Sequence, residues 1–243
     1  MKLLIFLFLF TTSSNFSEDN FFGDINQYSV ANEVVENHNI EKLLYKVDFS
    51  KYKAGNATKT LKKLGFIFKM DAKKMNPTFK NSRLYIGDDT GHVAFYVKEY
   101  LYGKATRLKI TWGVDQFTSN ESWEQGKQSN AIGLAVSFGL EKVSSGTWYV
   151  PNMPRFIGYF ISKTAKIRKT YVGEHFKLGG KLVCISNSAQ EVESDIDLVQ
   201  DFNWQFPDKE YMPVSGFSIQ ANTKGSKATS AYIKSIAFYG TQD

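Results

Sequence analysis

From residue 43 onward, apolar residues come in short runs separated by turn formers, and this spacing predicts a chain built of many brief strands. The runs are Leu43 to Phe49, Gly65 to Met70, Arg83 to Ile86, His92 to Glu99, Arg107 to Trp112, Ala131 to Phe138 and Thr147 to Val150. Arg155 to Ile161, Lys166 to Tyr171, Lys181 to Ser186, Glu191 to Leu198, Gly216 to Gln220 and Ala231 to Tyr239 complete the series. Gly87 to Gly91, Ser144 to Gly146, Gly179-Gly180 and Asn222 to Gly225 supply the reversals. Strands of this length at this spacing predict an all-β, antiparallel, jelly-roll-like β-sandwich with few short helices.

Alternation within the runs assigns faces. Val192, Ile196 and Leu198 fall on one side of their run, and Glu193, Asp195 and Asp197 on the other. In the last run Tyr232, Lys234, Ile236 and Phe238 stand opposite Ile233, Ser235, Ala237 and Tyr239, a mixture that predicts a strand buried on much of both faces. The best helical patterns are Ala31 to Lys46 and Leu198 to Phe206.

The amino terminus follows a different rule. Lys2 precedes eight apolar residues, Leu3 to Phe10, and then Thr11-Thr12-Ser13-Ser14, the charged, apolar and small-residue order of a cleaved signal peptide over about residues 1–17. Eight apolar residues fall far short of the roughly 20 that span a bilayer, so no transmembrane anchor is expected. Residues 18–40 read as a polar, acidic lead, and 41–243 as one sandwich domain. Export places the mature chain in a secreted or periplasmic location.

The formal charge is +6, with lysines clustered at Lys51, Lys53, Lys59, Lys62, Lys63, Lys69, Lys73, Lys74 and Lys80, and again at Lys163 to Lys169. That balance suits an acidic polysaccharide, an anionic membrane or nucleic acid, and export argues against nucleic acid. The one cysteine, Cys184, lies in an apolar run and reads as a small buried hydrophobe.

Chemical signatures are few. No nucleophile elbow, phosphate-binding loop, His-Glu-x-x-His or Cys-x-x-Cys occurs, so serine hydrolases, nucleotide hydrolases and common zinc enzymes lose their usual support. His38, His92 and His175 are too dispersed to predict a metal site, and no cofactor or catalytic residue is assigned. Glu191, Glu193, Asp195 and Asp197 have three readings: an acid–base pair, calcium ligands, or a polar exterior, of which the exterior is the commonest.

The aromatic residues make the strongest case. Trp112, Trp123, Trp148 with Tyr149, and Trp204 sit at strand ends or in connections, where flat rings can stack on sugars and neighbours such as Asp115 can bind hydroxyls. Half of the tryptophans are expected in the core, with Trp123 and Trp148 as the exposed pair.

Val47-Asp48-Phe49-Ser50, Leu108 to Asp115, Ile157-Gly158-Tyr159, Asp195 to Phe206, Val214 to Ile219 and the closing Ala231 to Tyr239 together resemble an uncharacterised family of bacterial exported proteins with a jelly-roll-like sandwich. The last strand also resembles that of galactose-binding-like and carbohydrate-binding jelly rolls. Ser129-Asn130 and Gln220 to Thr223 depart from the pattern by lacking acidic residues, so no acidic or calcium site transfers. The resemblance implies fold and export. The expected function is non-catalytic binding of a glycan or other cell-envelope component. The alternatives are a polysaccharide-active hydrolase or lyase and a structural or assembly protein that meets an envelope protein.

Overall fold

The computed structural model describes residues 41–89, 91–99 and 103–241. The predicted signal peptide, the whole polar lead and His38 lie outside these residues. The strands are β1 (Lys42–Asp48), β2 (Gly55–Asn56), β3 (Ile67–Met70), β4 (Thr78–Lys80), β5 (Arg83–Asp88), β6 (Val93–Glu99) and β7 (Lys104–Gln116). They continue as β8 (Asn130–Val143), β9 (Met153–Ile161), β10 (Thr170–Tyr171), β11 (Gly180–Ser186), β12 (Val192–Asp197), β13 (Val214–Asn222) and β14 (Thr229–Thr241). Two short helices interrupt them, α1 (Thr58–Lys63) and α2 (Leu198–Gln205).

The strands form two seven-stranded sheets packed face to face as a jelly-roll-like sandwich. The first sheet runs β12-β7-β14-β5-β4-β2, with β1 paired to the second half of β14 on the edge whose first half takes β5. The second runs β10-β11-β9-β8-β13-β6-β3. All pairings are antiparallel except β9 with β11. Between the sheets, Leu108, Ile110 and Trp112 from β7 meet Ile132, Leu134, Val136 and Phe138 from β8 in one continuous core that also takes in Phe217 and Phe238.

The mixed pattern of the last strand has a specific cause. A bulge between Ile233 and Ser235 resets the alternation, so Ala231 and Ile233 before it and Ile236 and Phe238 after it all face the core. Tyr232 and Ala237 on its other face are buried as well, at 3% and 5% exposed, so the strand is buried on much of both faces as its pattern predicts, and the one extra residue accounts for the shift in side-chain parity.

Three further expectations change. Thr147 to Val150 is no strand: Ser145 donates its hydroxyl to the carbonyls of Thr147 (2.8 Å) and Val150 (2.6 Å) and folds that segment into a turn. Within Lys166 to Tyr171 only Thr170 and Tyr171 pair, since Arg168 has φ 61° and breaks the extended run. The predicted helix Ala31 to Lys46 is strand from Lys42 onward, where register with β14 overrides helical propensity. The pattern at Leu198 to Phe206 does fold as α2, started by Asp197 accepting the Gln200 N–H at 2.8 Å.

Candidate functional site

Because side chains alternate, each sheet has an outward face, and the two differ in chemistry. On the first sheet, outward Arg107 binds Asp195 through two nitrogens and Glu41 at 3.1 Å. Arg83 and Lys234 both reach Glu191, at 2.8 and 3.4 Å. The Arg107 guanidinium holds the Asp195 carboxyl below the usual carboxylate range. Asp197 caps α2, so with Glu191 and Asp195 ion-paired three of the acidic residues singled out from sequence are already occupied, and no group of three metal-ligating side chains occurs among the described residues. The face is a solvated ion-pair lattice. Asp115 belongs here too, with its carboxylate 3.5 Å from the Ser230 hydroxyl.

The outward face of the second sheet follows directly from its register. Ile67, Val97, Ser218, Ala135, Gly158 and Leu182 lie in one lateral row. Lys69, Phe95, Gln220, Gly133, Phe160 and Cys184 form the next. Gly216, Ser137 and Phe156 form a third, and Val93, Asn222 and Asn130 close one end. The central strands β13 and β8 therefore present Gly216, Ser218, Gln220, Gly133, Ala135 and Ser137: small residues and one amide. Phe95 and Val97 on one side and Phe156 and Leu182 on the other are partly exposed and stand taller than this floor. Three strand spacings separate β6 from β9, roughly 14 Å.

At one end of this strip the amides interlock. Asn130 accepts the Asn222 N–H at 3.1 Å, the Asn222 side chain donates to the Gln128 carbonyl at 3.0 Å, and Gln220 donates to the Ser218 hydroxyl at 2.8 Å. Beside the strip a second, small core covers part of the same face. Trp123 stacks on Phe160 with ring centroids 3.9 Å apart and donates its indole N–H to the Ser129 carbonyl at 3.1 Å. Tyr171, Ala165 and Cys184 complete this cluster. Burial pushes the Cys184 thiol up to about 11, which keeps it protonated and inert at neutral pH. Glu121 anchors the covering loops by accepting from the Lys163 N–H (2.6 Å), the Thr164 N–H (3.1 Å) and the Ser162 hydroxyl (3.2 Å). Its burial raises the carboxyl above its ordinary value despite those bonds.

At the opposite end lies the β8–β9 connection. Phe156 meets Phe176, the Phe176 N–H bonds the Ser145 carbonyl at 3.0 Å, and Tyr149 contacts His175 edge-on, which brings Trp148 and Tyr149 to this end of the strip. Phe176 has φ 61°, costly for a bulky side chain, and Gly180 is required beside it because a Cβ there would come 2.5 Å from the Phe156 ring. A recess of about 310 Å³ opens next to the turn, lined by Thr147, His175, Leu178 and neighbours.

The sequence-selected residues thus separate. Trp148 is 96% exposed and Tyr149 61%, at the end of the strip. Trp123 is 3% exposed, contrary to expectation, because its polar flanking sequence folds over it as a lid. Trp112 is fully buried and gives its N–H to Ser194 at 3.0 Å, so it is a core residue and offers no stacking surface. Trp204 is half exposed on α2 beneath the Arg168 guanidinium, away from the strip. Sequence reasoning missed Phe95, Phe156, Ser218 and Gln220. The signal was present as alternation of small and large residues in Gly133 to Phe138 and Gly216 to Ala221.

No protein-family model and no curated protein matches the sequence. Solved structures of similar shape include the carbohydrate-binding module "BiXyn10A CBM1", at 9% identity over 83% of this chain and 99% of that one, with a TM-score of 0.37. A family 29 carbohydrate-binding module from Piromyces equi is similar at 11% identity over 81% and 90% of the two chains, TM-score 0.34. A family 12 xyloglucanase from Bacillus licheniformis follows at 7% identity over 72% and 86%, TM-score 0.38. At such values the functional reading rests on the site itself.

Proposed function

We propose that this is an exported protein that binds a neutral glycan, without catalysing its cleavage, along the outward strip of the second sheet. One observation carries the reading: a sheet face with a small-residue floor, partly exposed Phe95, Val97, Phe156 and Leu182 as its borders, interlocked amides at one end and exposed aromatic rings at the other. Apolar ring faces and C–H groups pack on such borders, and amides and hydroxyls bind sugar hydroxyls without the desolvation cost of a charge. Hydrolysis calls for two facing carboxyls, and the floor strands β13 and β8 place amides and hydroxyls there instead.

Affinity electrophoresis of the mature chain through gels of neutral polysaccharides tests this, with reducing-end release assayed in parallel. Retardation that survives high salt, is weakened in Gln220→Ala and Phe95→Ala, and is accompanied by no sugar release is the expected result. Sugar release that depends on the strip residues would replace binding by catalysis, and migration unaffected by every neutral polymer would end the glycan reading.

A further inference from the structure

The lysine clusters noted in the sequence gain a location in the fold. Residues 51–80 hold nine lysines and one acid, Asp71, whereas the whole chain has a net charge of +6, so the rest of the chain is slightly negative. This segment wraps one flank of the sandwich. It supplies edge strand β2 of the first sheet, then α1, then edge strand β3 of the second sheet, and returns to β4. All nine lysines are exposed, and among the described residues only Lys74 meets a carboxylate, Asp71 at 2.8 Å. By contrast, Arg83, Arg107, Lys109 and Lys234 on the outward face of the first sheet are all paired.

At the first-sheet side of this flank is a cavity of about 420 Å³, within the range of small-ligand sites. Lys74 and Lys80 line it with Tyr85, Asn76 and Ser230, and Asp89 is a carboxylate on its wall. Lys80 holds its ammonium 4.1 Å over the Tyr85 ring. Ammonium groups, an amide, a hydroxyl and an aromatic ring in one concavity match a sugar that carries a negative charge.

We infer that this flank is a second binding site, for an acidic polysaccharide, with the carboxylate or sulfate of one sugar unit seated between Lys80 and Lys74. A bilayer surface is flat and would leave the cavity unfilled. The segment contains no arginine, so it lacks the guanidinium forks that serve nucleic-acid recognition. Edge lysines also deter strand-to-strand aggregation, a role that needs charge but neither a cavity nor a chosen polymer. The site lies on the opposite sheet from the neutral strip, so either can fail alone.

The test is affinity electrophoresis at low salt in gels containing polygalacturonate or dextran sulfate, with sedimentation on anionic phospholipid vesicles and gel shift with duplex DNA run alongside. The Lys74→Gln/Lys80→Gln pair is expected to weaken retention on the acidic polysaccharides about tenfold, while Lys163→Gln/Lys166→Gln, of equal charge change, retains wild-type retention. Gln220→Ala leaves this retention intact. Equal losses in the two lysine pairs would reduce the effect to net charge and overturn the site. Unchanged retention in Lys74→Gln/Lys80→Gln would overturn it as well, as would vesicle or DNA binding stronger than binding to either polysaccharide.

Discussion

On one outward face of the sandwich, Arg107, Lys109, Arg83 and Lys234 meet Asp195 and Glu191 in a lattice whose charges already satisfy one another. On the other, β13 and β8 offer glycine, alanine, serine and glutamine between partly exposed Phe95, Val97, Phe156 and Leu182, and charge retreats to Lys69 and Glu99 toward the sheet edge. Both faces belong to largely antiparallel sheets over the same core, so the contrast does not arise from the fold. A half-wet sheet face needs polar groups for solubility, and the first face has them in excess. The second keeps apolar borders accessible to solvent, a disposition associated with contact surfaces.

The contrast can be broken most strongly at the lid. Trp123→Ala removes the ring stacked on Phe160 and should cost about 3 kcal/mol of stability in urea unfolding, with loss of cooperativity in the Glu121-anchored loops. A cost below about 1 kcal/mol would mean that the lid is not a packed core.

Next comes the transfer of charge between faces. Ser218→Arg places a guanidinium on the floor and should abolish neutral-glycan retardation, roughly a tenfold loss or more, while Thr111→Arg, on the face that already carries charge, should change it little. A smaller effect is expected at the exposed ring: Trp148→Ala should shift stability by less than about 0.5 kcal/mol and weaken retardation about fivefold. A stability loss above that limit would show that the ring packs in solution.

The smallest effect concerns pH. Asp195 has a folded-state pKa below its unfolded value, so its ion pair with Arg107 stabilises the fold above the ordinary carboxylate range, near 4, and that contribution disappears as pH falls through the lowered value. Both partners are well exposed, so solvent screening should leave the contribution small, and it should vanish in high salt. Asp195→Asn should flatten this part of the pH–stability profile, and an unaltered profile would remove the ion pair from the account.

The sandwich was legible in the sequence wherever one face of a strand is core and the other wet, as in β12. It was obscured where parity changes within a strand, as at the bulge before Ser235, and where an element is too short to have a period, as with β2 and β4. The site was less legible for a different reason. Tryptophans advertise binding in a sequence, yet Trp112 and Trp123 are buried by long-range contacts with Ser194 and Phe160 that local pattern does not encode. The strip is made largely of small residues from β13 and β8, which are neighbours only through a pairing of strands more than 70 residues apart.

The most direct test of the neutral strip is amide chemical-shift mapping of isotope-labelled protein, titrated with an oligosaccharide of whichever neutral polymer retards the chain. The account predicts saturable shifts at Phe95, Ala135, Ser218 and Gln220 extending toward Trp148, with Arg107 to Thr111 unmoved. Shifts centred on the charged face, or none at the strip, would contradict it.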